Sequence, residues 1–374
     1  MKKYMKINGK DVPSGIWGGP MGVGVTRAPL SSAIANEGGV GILSIIGLDR
    51  IWSRELGYKV SNYEAIIFEA AKARTLSPYG VIGLNIMVAV MANYHNSVEA
   101  AVEAKRLGLI DIITIGAGLI KDLPEVNNSF KVPIAVIVSS ARAAKIVLER
   151  WKRNKWSEMG YELTAFIVEG PKAGGHLGFK RDDLDKPECQ LEAIVPEVKQ
   201  IARENGDIYV IAAGGIFTRD DITDIQKVGA DGVQMATIFL ASIESSASDN
   251  YKMAVINTKD PEDIIVSGGS PCGMLFRVLR NSPMYQTHIR AGRKPKCSKG
   301  YLLRKDDLGN FTICGAKTNA ELYFCICNGL LASAGSNPDE EELYTSGSNA
   351  YRVESILSVK TIMDELKGSD FRNK

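Results

Sequence analysis

The stretch LTAFIVEGPKAGGHLGF, residues 163–179, decides the fold of this chain. Its first part, LTAFIVEG, is a continuous apolar run of the kind found in buried parallel strands. The run ends in a glycine-dense loop that holds Gly174, Gly175 and His176, one of only three histidines in the chain. Glycine lets the backbone approach a ligand closely, and an imidazole can exchange a proton near neutral pH. The stretch predicts a buried strand that ends at a functional site; a flexible connection with an incidental histidine is the alternative.

Similar apolar runs recur along the first two thirds of the chain and alternate with helix-like segments. The predicted strands are residues 15–19, 40–46, 81–88, 110–117, 132–139, 163–169, 208–213 and 231–239. The predicted helices are residues 28–37, 62–76, 97–107, 119–126, 141–151, 191–204, 219–228 and 246–257. Eight strand–helix units over roughly 250 residues predict an α/β fold, a (β/α)8 TIM barrel. A doubly wound open sheet is the alternative.

The alternation fails after residue 257, which predicts a barrel over residues 1–257, an appended C-terminal lid or cap over 258–344, and a C-terminal helix within 345–374 that returns to the barrel. The lid segment contains five of the six cysteines: Cys272, Cys297, Cys314, Cys325 and Cys327. These cysteines form no C-x2-C pair, so we expect free thiols and no metal site.

Composition excludes several classes of protein. The chain of 374 residues is 45% hydrophobic and 24% charged, which is ordinary for a globular protein. Its 45 basic and 43 acidic residues nearly cancel, so no nucleic-acid footprint is indicated. No apolar run approaches the roughly 18 to 20 residues that cross a bilayer, and the basic N-terminus does not lead into a secretion segment. We expect a cytoplasmic protein that does not bind membranes.

In a barrel of this kind the residues that follow each strand meet at one mouth. This rule gathers glycine-rich or polar turns from most of the predicted strands. The candidate cofactor-binding residues are Gly19, Pro20, Met21, Asn85, Gly116, Ser139, Glu169, Gly174, Gly175, Ala213, Gly214, Gly215, Gln234, Met235, Ala236 and Thr237. His176 stands in the same set and is the candidate catalytic residue.

The turns after the last two strands are the more specific signal. Loops at this position of a barrel often bind phosphate through backbone N–H groups, and Gly214, Gly215, Ala236 and Thr237 supply such donors. GG turns that simply close the loops are the alternative. At the other side, GGPMG offers a flat backbone surface for an aromatic ring system. A phosphate site and a planar cradle together predict a mononucleotide such as FMN, since neither a Walker A sequence nor a dinucleotide fingerprint occurs.

The ordered set of motifs resembles the nitronate monooxygenase (2-nitropropane dioxygenase) family, to which flavin-dependent enoyl-ACP reductase II enzymes are related. The motifs include GGPMGVGVTRAPLSSAIANEGGVGILS, GLNIMVA, VEGPKAGGHLGF, VIAAGGIFTRDDI, GADGVQMATIFLAS and SPCGMLFRVLRN, with GSNAYRVESI near the C-terminus. The resemblance implies an FMN-binding barrel with a lid. It also implies that Gly19, Pro20 and Met21 line the flavin and that His176 lies above its ring.

Two functions follow from the resemblance. The first is FMN-dependent oxidation of alkyl nitronates or nitroalkanes with O2. The alternative is reduction of an enoyl thioester with NAD(P)H as the reductant of FMN. The expected partner is a small-molecule substrate. The alternative function adds an acyl carrier protein as a second partner. Either function is compatible with a homodimer. A carrier protein favours a basic rim beside the mouth, for which the candidates are Arg277, Arg280, Arg290, Arg293, Lys294 and Lys296.

Overall fold

The computed structural model describes residues 4–90, 93–126, 130–206, 208–291 and 313–368. At the N-terminus, β1 (Met5–Ile7) and β2 (Lys10–Val12) form an antiparallel hairpin. Met5, Ile7 and Val12 are buried in one cluster with residues of the barrel interior, among them Trp17 and Ile167. The hairpin therefore closes the N-terminal end of the barrel and leaves the opposite end for the site.

Eight parallel strands close into a barrel, as the alternation of apolar runs predicts. They are β3 (Ile16–Gly18), β4 (Val40–Ser44), β5 (Val81–Met87), β6 (Ile112–Gly116), β7 (Val132–Val138), β8 (Tyr161–Glu169), β10 (Tyr209–Ala213) and β11 (Gly232–Met235). Closure occurs where β11 pairs with β3, with Gln234 opposite Trp17. Because the strands are buried on both faces, nearly every residue in them is apolar. This is why the strands can be recognised in the sequence as continuous apolar runs. The predicted α/β barrel is confirmed.

Helices cover the outside of the barrel between most strands. They are α1 (Ala28–Asn36), α2 (Leu48–Leu56), α3 (Asn62–Leu76), α4 (Tyr94–Arg106), α5 (Ala141–Arg153), α6 (Leu191–Glu204), α7 (Arg219–Lys227), α8 (Thr237–Leu240) and α9 (Asp249–Asn257). Helix α2 was not expected. The helix predicted at residues 119–126 is wrong, because this stretch has no regular secondary structure. Pro124 disfavours helical backbone at Leu123, and Ile120 and Leu123 are buried without needing a helix.

A second, smaller sheet covers the C-terminal mouth of the barrel. It is antiparallel and consists of β9 (Gly175–Leu177), β12 (Ile264–Ser267) and β13 (Leu275–Leu279), with β13 in the middle. Four further helices follow: α10 (Pro283–Ala291), α11 (Gly315–Thr318), α12 (Ile326–Ser333) and α13 (Val359–Lys367). Helix α13 packs against α1, α7 and α8. The loop after β8 thus leaves the barrel and becomes an edge strand of the covering sheet.

Candidate functional site

A cavity of about 570 Å³ lies at the C-terminal ends of the barrel strands, beneath the covering sheet. All seventeen residues singled out from the sequence line it. They are Gly19, Pro20, Met21, Asn85, Gly116, Ser139, Glu169, Gly174, Gly175, His176, Ala213, Gly214, Gly215, Gln234, Met235, Ala236 and Thr237. The structure thus brings them to one place, as the barrel rule predicts.

The GGPMG turn after β3 forms one wall and is held by Thr26. The hydroxyl of this buried threonine donates to the carbonyl of Gly19 at 3.1 Å and accepts from the N–H of Met21 at 2.9 Å. A Cβ on Gly19 would lie 2.7 Å from the Cβ of Ala236, so a side chain cannot be accommodated there. The turn therefore packs closely against Ala236, and its residues line the cavity.

Two buried amides face the cavity from strands that β3 and β4 separate. Asn85 on β5 accepts a hydrogen bond from the hydroxyl of Thr114 at 3.0 Å through its Oδ1, which leaves its NH2 group for the cavity. Gln234 on β11 is 8% exposed, and its Oε1 is buried with no hydrogen-bond partner in the described part of the chain. A buried polar atom without a partner is costly, and a ligand donor would satisfy it.

The turns after β10 and β11 expose backbone donors. Gly214 and Gly215 have φ of 94° and 82°, which favour glycine, and a Cβ on Gly214 would lie 2.9 Å from the backbone nitrogen of Ala173. Across residues 4–90, 93–126, 130–206, 208–291 and 313–368, the N–H groups of Gly215 and Thr237 donate to no backbone carbonyl. These two N–H groups are available to an anion in the cavity.

A C-terminal segment, residues 346–349, completes this end of the cavity and was missed by the sequence reasoning. We call it the clasp. The N–H of Gly347 donates to Thr237 Oγ1 at 2.9 Å, the N–H of Ser348 donates to the carbonyl of Lys172 at 3.1 Å, and Asn349 Nδ2 donates to the carbonyl of Gly215 at 2.8 Å. The clasp therefore fixes the turns after β10 and β11 by hydrogen bonds from residues more than one hundred positions away.

The clasp also contributes polar groups of its own. Ser346 is 5% exposed, lines the cavity, and its Oγ is buried without a partner among the described residues. Lys172 lines the same end of the cavity and contributes a positive charge. The aliphatic part of its side chain would contact a Cβ placed on Gly215. The motif GSNAYR was a sequence signal for this segment, but only the fold shows that it reaches the barrel mouth.

Glu169, the last residue of β8, lines the cavity. Burial disfavours its charged form and raises the pKa of its carboxyl to about 7. The carboxyl is therefore partly protonated at neutral pH and can donate as well as accept a hydrogen bond.

His176 reaches the cavity from β9 in the covering sheet. It pairs with Phe276 on β13, and the two rings meet edge to face with their centroids 4.7 Å apart. The Nε2 atom of His176 is buried and has no partner within the residues that the structure describes. The imidazole is thus held by the sheet with one nitrogen left for a ligand.

The thiol of Cys272, in the turn before β13, adjoins this imidazole. Burial by itself would raise the pKa of Cys272, but the hydrogen bond and charge of His176, the hydroxyl of Ser270 and the N–H of Met274 outweigh it and lower the pKa to about 7. The sulfur lies 2.9 Å from Ser270 Oγ. Sequence reasoning grouped Cys272 with the lid thiols and gave it no role.

The expected basic rim is not supported by the arginines that the structure describes. Arg277 is 7% exposed and donates to the carbonyl of Pro171 at 2.7 Å, and burial lowers its pKa to about 10. Arg280 is exposed but pairs with Asp263 at 2.9 Å. The side chains of Arg290, Arg293, Lys294 and Lys296 lie outside the described residues, as does Cys297.

The described residues show neither a metal centre nor a membrane-spanning helix. No three His, Cys, Asp or Glu side chains among them are placed to hold a metal ion. Within the same ranges, no helix has the length and apolarity that a bilayer crossing requires.

Comparison with known proteins agrees with this geometry. The family model described as nitronate monooxygenase matches residues 10–368. A probable nitronate monooxygenase of Staphylococcus aureus (strain Newman) is 32% identical over 165 residues, a match that covers 43% of this chain and 45% of that protein. The aligned region thus spans less than half the length of this curated relative.

Two solved structures share the fold over almost the whole chain. FabK from Thermotoga maritima has a TM-score of 0.63 at 21% identity and covers 96% of this chain and 94% of its own. Nitroalkane oxidase from Streptomyces ansochromogenes has a TM-score of 0.62 at 18% identity, with coverage of 97% and 98%. These identities support a common fold, whereas the family model, which spans nearly all of the sequence, supports descent. The resemblance read from the motifs is confirmed: the chain belongs to the nitronate monooxygenase family.

Proposed function

We propose that this protein is an FMN-dependent oxidoreductase that oxidises alkyl nitronates or nitroalkanes with O2. The observation that carries the proposal is the unpartnered Nε2 of His176, which is buried beside a cavity whose far end holds free backbone N–H groups. A site with an anion-binding end and a separate acid–base group fits a phosphorylated cofactor and a small substrate that exchanges a proton.

The described residues fit FMN. The N–H groups of Gly215 and Thr237, with the clasp and Lys172, would hold its phosphate. The GGPMG turn would lie along the ring system, because it lines the cavity and carries no side chain at Gly19. The NH2 group of Asn85 and the Oε1 of Gln234 would meet polar edges of the ring. When bound, FMN supplies the electron transfer between the organic substrate and oxygen.

His176 would act on the substrate and not on the cofactor's phosphate end. With a neutral nitroalkane, the imidazole would accept the proton from the carbon beside the nitro group, and Nε2 is the nitrogen available for that proton. With a preformed nitronate, a protonated imidazole would donate a hydrogen bond to the anionic oxygens. The Phe276 ring fixes the imidazole plane in both cases.

Apolar side chains shape the remaining part of the cavity and exclude water from the reacting groups. They include Met87, Val90, Leu119, Ile146, Ile326 and Leu330. Such a lining favours an aliphatic substrate over a highly polar one.

The same apolar lining favours a second candidate, the reduction of an enoyl thioester with NAD(P)H. The fold matches FabK and nitroalkane oxidase about equally, with TM-scores of 0.63 and 0.62. A hydrocarbon chain of an enoyl substrate would fit beside Val90, Leu119 and Ile146, with Arg142 at the rim of the cavity. Arg142 is exposed and could meet an anionic carrier.

One set of parallel reactions separates the candidates. The purified flavoprotein is mixed without oxygen with propionate 3-nitronate, NADH, NADPH or crotonyl thioester, and flavin bleaching is followed in each mixture. We expect bleaching by the nitronate and rapid recolouring when oxygen is admitted. Bleaching by NADH or NADPH, followed by recolouring with the crotonyl thioester alone, supports the reductase instead. A protein that carries no flavin contradicts both.

A further inference from the structure

A fully buried carboxylate lies at the start of α1 and takes no part in the reaction proposed above. Glu69 on α3 is 0% exposed and accepts four hydrogen bonds. Its Oε1 accepts from the N–H of Ala28 at 2.6 Å. Its Oε2 accepts from Nε and Nη2 of Arg27 at 3.2 and 2.8 Å, and from the indole N–H of Trp52 at 2.8 Å. A carboxylate paired in this way holds its partners in one arrangement.

The start of α1 depends on Glu69 because the local sequence supplies no cap. Arg27 stands at the N-cap position, where its side chain accepts no hydrogen bond from the helix, and the first turn contains no acidic residue. Pro29 has no N–H to be satisfied. Glu69 therefore provides, from a neighbouring helix, the acceptor and the negative charge that a helix N-terminus requires.

The residue before this helix start reaches the wall of the cavity. Thr26 directly precedes Arg27, and its hydroxyl binds the carbonyl of Gly19 and the N–H of Met21. The N–H of Thr26 also donates to the carbonyl of Met21 at 3.0 Å. Gly19 and Met21 line the cavity, whereas Glu69 and Arg27 do not. A displacement at Arg27 is thus passed through one peptide bond to the GGPMG turn.

We propose that Glu69 is a positioning residue for the cofactor. Through Arg27 and Ala28 it sets the place of Thr26, and through Thr26 it sets the GGPMG turn along which the flavin ring would lie. The inference rests on the proposed FMN site and adds to it a residue outside the cavity. The guanidinium presents Nε and Nη2 to one carboxylate oxygen, so the contact fixes the orientation of Arg27 as well as its distance.

Two carboxylates share Arg27, and only one of them is buried. Glu55 on α2 pairs with Nη1 of Arg27 from the solvent side, with 41% of its side chain exposed, whereas the side chain of Glu69 is 0% exposed. An exposed ion pair contributes little, but breaking a buried pair leaves a charge without a partner. Glu69 therefore does the positioning, and Glu55→Gln should leave the turn in place.

A matched carboxylate lies at the opposite end of the barrel. Asp111 directly precedes β6 and is 2% exposed. It accepts from Asn8 Nδ2 at 3.0 Å, from Arg74 Nη2 at 2.7 Å and from the N–H of Ile82 at 3.0 Å. None of these four residues lines the cavity. Loss of the Asp111 charge should therefore weaken the fold without affecting the cofactor.

Flavin binding tests the role of Glu69 without using turnover. Each apoprotein is titrated with FMN by fluorescence, the bound flavin is followed by visible circular dichroism, and folding is followed by urea unfolding. We expect the Kd of FMN to rise about tenfold in Glu69→Gln, with a changed flavin band, because the turn is displaced. Asp111→Asn should lower the urea midpoint comparably. In Asp111→Asn and Glu55→Gln the Kd should stay within about twofold of the natural value, with the natural flavin band.

Equal changes of the Kd in Glu69→Gln and Asp111→Asn overturn the proposal, because the effect is then one of general stability. A folded Glu69→Gln protein with the natural Kd and flavin band also overturns it.

A milder pair of variants decides the matter where a charge variant does not fold. Trp52→Phe removes one neutral donor to Glu69, and Asn8→Gly removes one neutral donor to Asp111 at a φ of 51° that suits glycine. We expect the Kd of FMN to rise about threefold in Trp52→Phe and to keep its natural value in Asn8→Gly. Equal values in these two variants overturn the proposal.

These outcomes are distinct from a failure of the proposed function. A natural protein that binds FMN but whose flavin is bleached by no substrate contradicts the proposed function and leaves the comparison of the variants intact. A natural protein without affinity for FMN contradicts the cofactor assignment, and with it this inference, before any variant is compared.

Discussion

The N–H of Gly347 donates to Oγ1 of Thr237 at 2.9 Å, across a sequence separation of 110 residues. This bond joins the clasp to the turn after the last barrel strand. The hydroxyl accepts here, so its own hydrogen stays available to an anion in the cavity. The Cβ that a side chain at Gly347 would add lies 2.7 Å from the same oxygen, which explains why a glycine stands there. This end of the cavity is thus built from two segments that lie 110 residues apart in the sequence.

The clasp can be tested by Asn349→Ala, which removes the hydrogen bond to the carbonyl of Gly215. One such bond contributes about 1 kcal/mol, so the dissociation constant of FMN should rise by about fivefold to tenfold. Fluorescence titration of the apoprotein with FMN measures it. Asn36→Ala is the control, because Asn36 makes one comparable bond to the carbonyl of Leu76 on the exposed surface. Equal effects of the two variants would contradict a role for the clasp in binding.

The phosphate end can be tested by Gly215→Asp. The new carboxylate would stand beside the phosphate, and like charges at this range cost about 2 to 4 kcal/mol of binding free energy. The flavin content of the purified variant should fall steeply while its circular dichroism stays unchanged. Gly57→Asp controls for backbone strain, since Gly57 has a similar φ of 75° in open space at the end of α2. A Gly215→Asp protein with full flavin content would remove the phosphate assignment.

Glu169 at the end of β8 predicts a pH-dependent stability of the apoprotein. Its pKa is about 7 in the folded state and 4.5 when free, so between these pH values the folded protein holds a proton that the unfolded chain has released. Stability therefore falls as pH rises through this window. Glu169→Gln should be more stable than the natural protein by about 1 to 3 kcal/mol at pH 8 and by little at pH 4.5.

Urea unfolding at pH 4.5, 6, 7 and 8 measures this difference, with Glu197→Gln on the exposed face of α6 as the control. Parallel stability curves for Glu169→Gln and the natural protein would show that the carboxyl is not desolvated in the folded state.

The barrel and most of its candidate site can be predicted from the sequence for a physical reason. Parallel strands buried on both faces are continuous apolar runs, so the strands can be recognised in the sequence. The strand ends of a barrel meet at one mouth, and this rule alone assigns His176 and Gly215 to one cavity. The helix predicted at residues 119–126 is wrong because Leu119, Ile120 and Leu123 have helical spacing, although all three precede Pro124 and the segment has no regular secondary structure.

The remaining features depend on contacts between distant parts of the chain. Neither the clasp nor the pairing of His176 with Phe276 can be deduced from local pattern, since each joins segments about one hundred residues apart. The position of Cys272 beside His176 follows from that pairing of β9 with β13. Arg277 looked like a surface cation but is buried, because its place in β13 turns it toward the carbonyl of Pro171.

The most direct test of the account is the rate of anaerobic flavin reduction in His176→Asn, measured by stopped flow with a neutral nitroalkane and with its preformed nitronate. The control is His95→Asn, since His95 is exposed on α4. We expect His176→Asn to retain FMN and to be about 100-fold to 10,000-fold slower, the range for loss of one acid–base group. Slowing with the nitroalkane alone identifies proton abstraction, and slowing with both substrates identifies anchoring of the anion. Rates equal to those of the natural protein with both substrates would contradict the assignment of His176 as the reacting group.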